Sequence, residues 1–334
     1  MQSITGLENI TTIKGSLKIE SNLYLSNISG LQNITTIIID FILINNTSLG
    51  SLEKLHSLSS IGRDLKIERN QNLWDLNGLD NLSSVGRDIS LVDNNVLVNI
   101  ESLSKITEIN GTLSINKCPM PSLGGLQNVA SIKEDLYISN NHLLTNVDAL
   151  SNLKVVDSIY ITSNNNLTQI DGLNSILSFQ SIRIGYNNKL NHLPAFPNIE
   201  HANSVDIYNN PSLSNVDTLH NLYSCRYLSI IRNNKMINLR GFRSLTFIDQ
   251  QLYIYQNANL ESLFGFSSLH TISSMIISEN PKLAHISYLE TLYSISGLSI
   301  YKNQSLPQSS VNRLINIVED RYGVGSINTW GNKE

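Results

Sequence analysis

The chain has 334 residues, of which 41% are apolar and 15% are charged, and its formal net charge is −4. A large core is therefore possible, whereas nucleic-acid binding is not expected, because no basic excess is available to neutralise phosphates. The two cysteines, Cys118 and Cys225, are too few for a disulfide scaffold or a zinc site, and the longest apolar run, 37–44, is too short to cross a bilayer. We expect no cofactor, no metal and no membrane insertion by this segment, and no leader or anchor is visible in it.

One repeat runs along the chain. Its clearest copies are LSSIGRDLKIERN at 58–70 and LSSVGRDISLVDN at 82–94. One apolar residue per copy recurs every 23 or 24 residues, at Leu7, Leu31, Leu55, Leu79, Leu103, Leu126, Leu150, Leu173, Phe196, Leu219, Phe242, Phe266 and Leu289. The repeat predicts one domain, with thirteen units over 1–306 and a cap over 307–334.

Each unit contains the pattern of a short strand. In the third unit, Leu65 and Ile67 alternate with Lys66 and Glu68, which indicates a half-buried strand. No unit has the ten or more residues that an amphipathic helix needs. The sequence therefore predicts an all-β solenoid, a parallel β-helix of about 13 turns.

Apolar residues near the beginning of the chain are expected to face outward. The first unit shows no cap, since Ile4 already occupies an inward position, and an open sheet edge favours pairing. An outward apolar patch often marks a docking surface. We therefore interpret Ile38, Ile39, Ile42 and Ile44 as a candidate assembly patch, for a second copy or an upstream domain.

The Gly-Arg-Asp triplets at 62–64 and 86–88 fill a corner between an inward residue and the next strand. Other units fill the same corner with Lys-Gly-Ser (14–16) or Asn-Gly-Thr (110–112), so a catalytic role is not indicated. We expect arginine beside aspartate, one turn apart, on a solvated edge.

One column of asparagines is expected to be structural. Stacked side-chain amides can bond each other and the backbone at a buried corner. The column comprises Asn22, Asn46, Asn70, Asn94, Asn141, Asn164, Asn187, Asn210, Asn233, Asn257, Asn280 and Asn303, and Cys118 interrupts it. Cys118 and Cys225 fall five turns apart at inward positions, so we expect buried free thiols rather than a disulfide.

The outward face of the strands carries the candidate binding residues. Tyrosine and arginine anchor interfaces because they bury large areas and still form hydrogen bonds. Two outward columns carry the candidates Tyr137, Tyr160, Arg183, Tyr208, Ile231, Tyr253, Tyr255 and Tyr301, and the candidates Tyr186, Tyr227 and Arg232 lie close by. Earlier units carry Lys18, Glu20, Lys66, Glu68 and Ser90 instead, an ordinary solvated surface. A simple preference of tyrosine for exposed strands would give the same pattern.

A capping helix is predicted near the end of the chain. Val311, Leu314, Ile315 and Val318 are spaced as one face of a helix. Ser309 or Ser310 would be the N-cap, and Gly323 would end the helix. Such a helix would close the core, as terminal units of solenoids require.

The repeat resembles the receptor L-domain family of leucine-rich-repeat-like proteins. The resemblance is carried by LSSIGRDLKIERNQNLWDLNG at 58–78 and by DLYISNNHLLTNVDALSNL at 135–153, and it covers nearly the whole chain. It implies a right-handed β-helix, commonly extracellular, that in some members binds a protein ligand across its sheet. Family members often close the C-terminal cap with cysteines, which this cap lacks.

No motif for catalysis is apparent. The seven histidines lack ligand spacing, and the outward carboxylates Glu20, Glu68, Asp206 and Glu279 are scattered. We therefore expect no enzyme activity. The favoured hypothesis is a secreted or cell-surface recognition or adhesion module that binds a protein or glycan through its sheet face. Two alternatives stay open: a structural rod or filament subunit assembling through its N-terminal end, and a polysaccharide-active enzyme on a β-helix.

Overall fold

The computed structural model describes residues 2–322 and 325–334. These residues form a parallel β-solenoid of about 13 turns with one α-helix near the C-terminus, which confirms the predicted fold. The chain divides into two compact units, Met1–Ile176 and Leu177–Glu334. The single domain predicted from the uninterrupted repeat stays a prediction.

The first unit is built from short parallel strands. They are β1 (Thr12–Ile13), β2 (Leu17–Glu20), β3 (Thr36–Ile37), β4 (Phe41–Ile44), β5 (Ser60–Ile61), β6 (Leu65–Glu68), β7 (Ser84–Val85), β8 (Ile89–Val92), β9 (Glu108–Ile109), β10 (Leu113–Asn116), β11 (Ser131–Ile132), β12 (Asp135–Ser139) and β13 (Ser158–Thr162). The main sheet has the order β2-β4-β6-β8-β10-β12-β13, and the two-residue strands form narrower sheets, β1-β3-β5-β7 and β9-β11.

The second unit has longer strands and the helix. Its elements are β14 (Ser181–Gly185), β15 (His201–Tyr208), β16 (Ser224–Ile231), β17 (Phe247–Tyr255), β18 (Thr271–Ser278), β19 (Ser294–Tyr301), α1 (Gln308–Tyr322) and β20 (Ser326–Asn328). The strands pair in chain order, each parallel to the next.

Short 3₁₀ helices form other corners of the solenoid, which agrees with units too short to contain an amphipathic helix. They span Ser29–Leu31, Glu53–Leu55, Glu101–Leu103, Asp148–Leu150 and Asp171–Leu173 in the first unit, and Asp217–Leu219, Arg240–Phe242, Phe264–Phe266 and Ser287–Thr291 in the second. Each ends in or contains a buried Leu or Phe of the 23-to-24-residue series, which fixes the corner to the core.

Each strand of the main sheet from β2 to β19 is followed directly by a left-handed residue. The residue directly before each position of the asparagine column has a φ between 52° and 60°, for example Arg69, Lys117 and Tyr186. The thirteen residues with this conformation are not glycines, although the left-handed region costs an L-residue about 1–2 kcal/mol. The bend places the next side chain inside the turn, so the hydrogen bonds made there offset the strain.

The asparagine column forms a hydrogen-bonded ladder. Oδ1 of Asn70 accepts the backbone N–H of Asn46 (3.0 Å), while its Nδ2 donates to the carbonyls of Leu43 (2.8 Å) and Glu68 (3.0 Å). All three bonds recur at Asn280 in the second unit, and the first two recur at Asn233. The column asparagines are fully buried except Asn22, which is half-buried at the end of the ladder. The structural interpretation of this column is therefore supported by its geometry.

Cys118 takes the place of an asparagine in the ladder. Its Sγ lies 3.5 Å from the carbonyl oxygen of Leu91, the counterpart of the carbonyl that an asparagine amide would reach. Burial raises the pKa of this thiol to about 11, and burial likewise raises the pKa of Cys225 to about 12. Both cysteines are free and buried, as predicted.

The Gly-Arg-Asp corners stack as predicted, but the aspartate is more buried than expected. Arg87 donates from Nε (2.9 Å) and from one terminal nitrogen (3.0 Å) to the two carboxylate oxygens of Asp64. Burial opposes ionisation of Asp64, yet Lys66, the Asp88 N–H and Arg87 together hold its pKa below the usual range. A Cβ on Gly86 would lie 2.0 Å from the Gly62 oxygen, so the corner requires glycine at this stacking distance.

Helix α1 packs against β19, and its residues Val311, Leu314 and Val318 are buried. The predicted N-cap is wrong. The helix begins at Gln308, so Ser309 and Ser310 lie in its first turn, because Pro307 precedes the helix and its carbonyl accepts the N–H of Ser310 (3.0 Å). The predicted stop at Gly323 lies outside the described residues.

Candidate functional site

The outward face of the main sheet carries three columns of side chains, because alternate residues of a strand point to the same side. We number them by position in the strand: the first column precedes the first inward residue, the second lies between the two inward residues, and the third follows them. In the second unit, the first column is Ser181, Ser204, Tyr227, Gln251, Ser274 and Gly297; the second is Arg183, Asp206, Ser229, Tyr253, Ile276 and Ser299; and the third is Gly185, Tyr208, Ile231, Tyr255, Ser278 and Tyr301.

Most of the predicted binding residues in the second unit lie on these columns. Two do not: Tyr186 and Arg232 occupy the left-handed corner that directly follows the third column. Tyr186 is 49% exposed, and its ring meets the Tyr208 ring edge-on at 5.4 Å. Arg232 holds its guanidinium 5.8 Å from the centre of the Tyr255 ring. Both residues therefore border the face rather than form it.

Aromatic rings cluster on the last strands of the second unit. Tyr253 and Tyr255 stack with ring centres 5.5 Å apart, and Tyr301 stacks on Trp330 at the same distance. Lys302 Nζ lies 5.0 Å from the Trp330 ring centre. The cluster therefore combines large rings with cations at its border, the composition of an interface anchor.

Trp330 was missed in the sequence because it follows β20, which joins the sheet after the helix and outside the 23-to-24-residue period. Ser326 and Asn328 of β20 pair with Gly297 and Ser299, which places Trp330 two residues further along, on the third column. Asn332 likewise extends the buried ladder, since its Oδ1 accepts the N–H of Asn303 (3.1 Å). An Asn two residues after a Trp in the tail was the available signal.

Ser278 lies in the third column between Tyr255 and Tyr301. It is fully buried although its strand position faces outward. Its Oγ has no hydrogen-bond partner among the described residues. We infer that the neighbouring side chains cover this position, so the aromatic cluster is closely packed at its centre.

Tyr208 is partly a packing residue. A Cβ on Gly185 would lie 2.3 Å from the Tyr208 ring, so the ring covers that glycine. Burial raises the pKa of Tyr208, and burial also raises the pKa of Tyr253. Both phenols are therefore neutral hydrogen-bonding groups at physiological pH.

A pocket of about 310 Å³ lies on the same face, beside the aromatic cluster. It is lined by Arg183, Ser204, Asp206, Tyr227, Leu228, Ser229, Gln251 and Tyr253. Arg183 donates to Asp206 Oδ2 (3.1 Å) at one side of the pocket. The short Ser229 side chain, between Asp206 and Tyr253 in the second column, forms the depression.

In the first unit, Tyr137 and Tyr160 form a pair in the second column. Their rings stack with centres 4.3 Å apart, and the Tyr137 hydroxyl donates to Asp135 Oδ2 (3.1 Å). Burial and the neighbouring Asp135 raise the pKa of Tyr137. Because both are half-buried and mutually stacked, they present edges rather than open ring faces.

The four isoleucines of the candidate assembly patch occupy different positions. Ile42 lies between Lys18 and Lys66 in the second column, and Ile44 lies in the third column of the same strand. Ile38, 50% exposed, is at the corner before β4 with the half-buried Ile39. Ile42 and Ile44 therefore belong to the sheet face, whereas Ile38 belongs to the edge.

Among residues 2–322 and 325–334, no group of three or more His, Cys, Asp or Glu side chains is placed to hold a metal ion. No helix among these residues has both the length and the apolar character of a membrane span. No protein-family model matches the chain, and no curated protein is significantly similar to it. The fold alone thus defines the class, a β-solenoid repeat protein, and the resemblance to receptor L-domains stays an expectation.

Proposed function

We propose that this chain is a non-catalytic recognition or adhesion module that binds a protein or glycan partner through the sheet face of its second unit. The observation that carries the proposal is the cluster of Tyr253, Tyr255, Tyr301 and Trp330, bordered by Arg232 and Lys302. Exposed aromatic and arginine side chains on a regular strand face supply large contact area at low entropic cost.

The resemblance of the repeat to receptor L-domains supports this proposal, because that family is commonly extracellular and some of its members bind a protein ligand across the sheet. We accordingly propose a secreted or cell-surface location. Three of the carboxylates considered above support a non-catalytic role, since each is engaged by a neighbouring side chain: Asp206 pairs with Arg183, and Glu68 accepts a hydrogen bond from Ser90 (3.0 Å). Glu279, which lies at the corner after β18 and not on the strand as expected, pairs with Lys302 (3.5 Å) and accepts a hydrogen bond from Gln256 (2.6 Å). Hydrolysis of a glycan would require two carboxylates across one cleft.

The test replaces Tyr255 and Tyr301 together by serine, which stands naturally in the same column at 139 and 278. The matched control is Glu20→Ser with Glu68→Ser, two third-column residues that are also two turns apart. Purified wild-type chain is screened against arrays of extracellular proteins and of glycans, and the affinity of each ligand is measured by surface plasmon resonance.

We expect the tyrosine variant to bind at least about tenfold more weakly, since one interface anchor is worth 1.4 kcal/mol or more. The glutamate variant should bind as the wild type does. A ligand bound equally well by the tyrosine variant, or the absence of any ligand on both arrays, would contradict the proposal.

A second candidate function is assembly into a rod or filament, favoured by the exposed Ile38 and the outward Ile42 and Ile44. Burial of about three isoleucines between copies would stabilise an assembly. Sedimentation velocity over a range of concentrations tests it. Ile42→Lys with Ile44→Lys should abolish self-association, whereas Ile276→Lys, at a second-column position of the second unit, should not. A wild-type chain that stays monomeric at high concentration removes this candidate.

A further inference from the structure

The pocket around Ser229 offers hydrogen-bonding groups that the protein leaves unused. The hydroxyls of Ser204 and Ser229 and the amide of Gln251 form no side-chain hydrogen bond with the described residues. They converge from three neighbouring strands, β15, β16 and β17. An apolar side chain of a protein partner would bury these groups without pairing them, and each buried, unpaired group would cost about 1–3 kcal/mol of binding free energy. A ligand rich in hydroxyl groups would pair with them.

The charges in this pocket balance. Arg183 and Asp206 are joined by a contact of 3.1 Å, and the remaining lining side chains are neutral. An anionic ligand would approach Asp206, and a cationic ligand would approach Arg183, so each would be opposed by one member of the pair. A neutral ligand is opposed by neither, and its hydroxyls can still bond to the fixed guanidinium and carboxylate.

The walls of the pocket are aromatic. Tyr255 stacks against one face of the Tyr253 ring, and Tyr253 lines the pocket beside Gln251. Tyr227, 41% exposed, forms a second wall. The C–H groups of a sugar ring pack on such faces while its hydroxyls bond to the rim. The volume of about 310 Å³ is at the lower end of small-molecule sites, which suits one ring rather than two.

We propose that this pocket binds one neutral hexopyranose residue of a glycan, with Tyr253 and Tyr227 against its ring, Ser204, Ser229 and Gln251 bonded to its hydroxyls, and the Arg183–Asp206 pair excluding charged sugars. The proposal rests on the proposed function, because it names the ligand class of the same sheet face. It goes further in assigning a binding subsite and its selectivity to residues of which only Tyr253 belongs to the aromatic cluster.

The experiment uses saturation-transfer NMR on the whole chain with maltohexaose, cellohexaose, mannohexaose and β-1,4-galactohexaose, and with hexagalacturonate as the charged comparison. The pocket is filled by Ser229→Tyr, which the second column tolerates because Tyr253 already stands there. The control is Ser299→Tyr, a serine of the same column in β19, outside the pocket lining. Gln251→Ala provides a truncation that cannot overpack the face if Ser229→Tyr fails to fold.

We expect transfer to at least one neutral hexasaccharide, at least about tenfold weaker binding by Ser229→Tyr, weaker binding by Gln251→Ala and unchanged binding by Ser299→Tyr. The proposal is overturned if no neutral hexasaccharide binds, if the two pocket variants bind as the wild type does, or if hexagalacturonate binds best. If the sugars fail while an array ligand still depends on Tyr255 and Tyr301, the proposed function stands and only the sugar subsite is lost.

Discussion

Replacing Asn70 by alanine tests whether the asparagine ladder stabilises the solenoid. The change removes the acceptor of the Asn46 N–H and the donor to the Leu43 carbonyl, and both of these hydrogen bonds are buried. Each buried group left unpaired costs about 1–3 kcal/mol, so we expect the free energy of unfolding to fall by about 2–6 kcal/mol. Since a typical domain is stable by only about 5–15 kcal/mol, this loss should be large.

Asn22→Ala is the matched control, because Asn22 is the half-buried end of the same column. Its Nδ2 donates to the exposed carbonyl of Glu20 (3.1 Å), which water can satisfy after the change. The expected cost is below about 1 kcal/mol. Backbone bonds of Asn22 are unaffected, including the N–H bond to Asn46 Oδ1 (3.2 Å).

Urea unfolding followed by far-UV circular dichroism measures both variants, and amide hydrogen exchange reports the Asn46 N–H directly. Repeat proteins often lose cooperativity, so the exchange measurement keeps the comparison local when the unfolding curve is not two-state. The reasoning is refuted if Asn70→Ala costs no more than Asn22→Ala, or if the Asn46 amide stays as protected as in the wild type.

Three further changes test other parts of the fold. Cys118→Asn should raise the free energy of unfolding in urea by about 1 kcal/mol, because an amide makes stronger hydrogen bonds than a thiol at the same ladder position. A lower free energy of unfolding would show that the surrounding residues fit sulfur better than an amide. Gly86→Ala should cost about 2 kcal/mol or more in urea unfolding, since its Cβ meets a carbonyl, whereas Gly15→Ala, with nothing within 4 Å of its Cβ, should cost little; equal losses would contradict the steric account. Asp64 has a folded pKa below its unfolded value, so its stabilising contribution is present above about pH 4 and is lost as the pH falls through the folded pKa. Thermal unfolding of Asp64→Asn from pH 7 to pH 3 should accordingly show a weaker pH dependence than the wild type, and a parallel curve would show that the Asp64 carboxylate does not contribute to that dependence.

The architecture could be predicted because every turn repeats the same pattern of inward apolar residues around a short strand. Leu65 and Ile67 alone are weak evidence for a strand. The same pattern recurs every 23 or 24 residues along the chain, so the whole series of units supports the assignment to a strand. The asparagine column was predicted for the same reason. The left-handed corners were not, because residues as different as Ser21, Arg69 and Tyr186 occupy them and none carries the glycine signal.

The site was predicted only where it follows the repeat. Tyr253, Tyr255 and Tyr301 keep the phase of the strands and lie on the face as expected, whereas Tyr227, expected beside the columns, lies in the first column. Tyr186 and Arg232 were expected beside the columns and border the face, although the left-handed corner that holds them was not foreseen. The pocket escaped prediction because it depends on the smallness of Ser229 relative to neighbours on other turns, which no single stretch of sequence displays.

The grid of columns also affects how such a surface can evolve. The pocket draws its side chains from four consecutive strands, β14 to β17, and each strand contributes one to three of them. Duplicating one turn between β15 and β16 would leave every core contact with an equivalent neighbour, yet it would move Asp206 from Ser229 by a further 4.8 Å or so. A gain or loss of whole turns would therefore change what the surface binds in a single genetic step, with no substitution in the core.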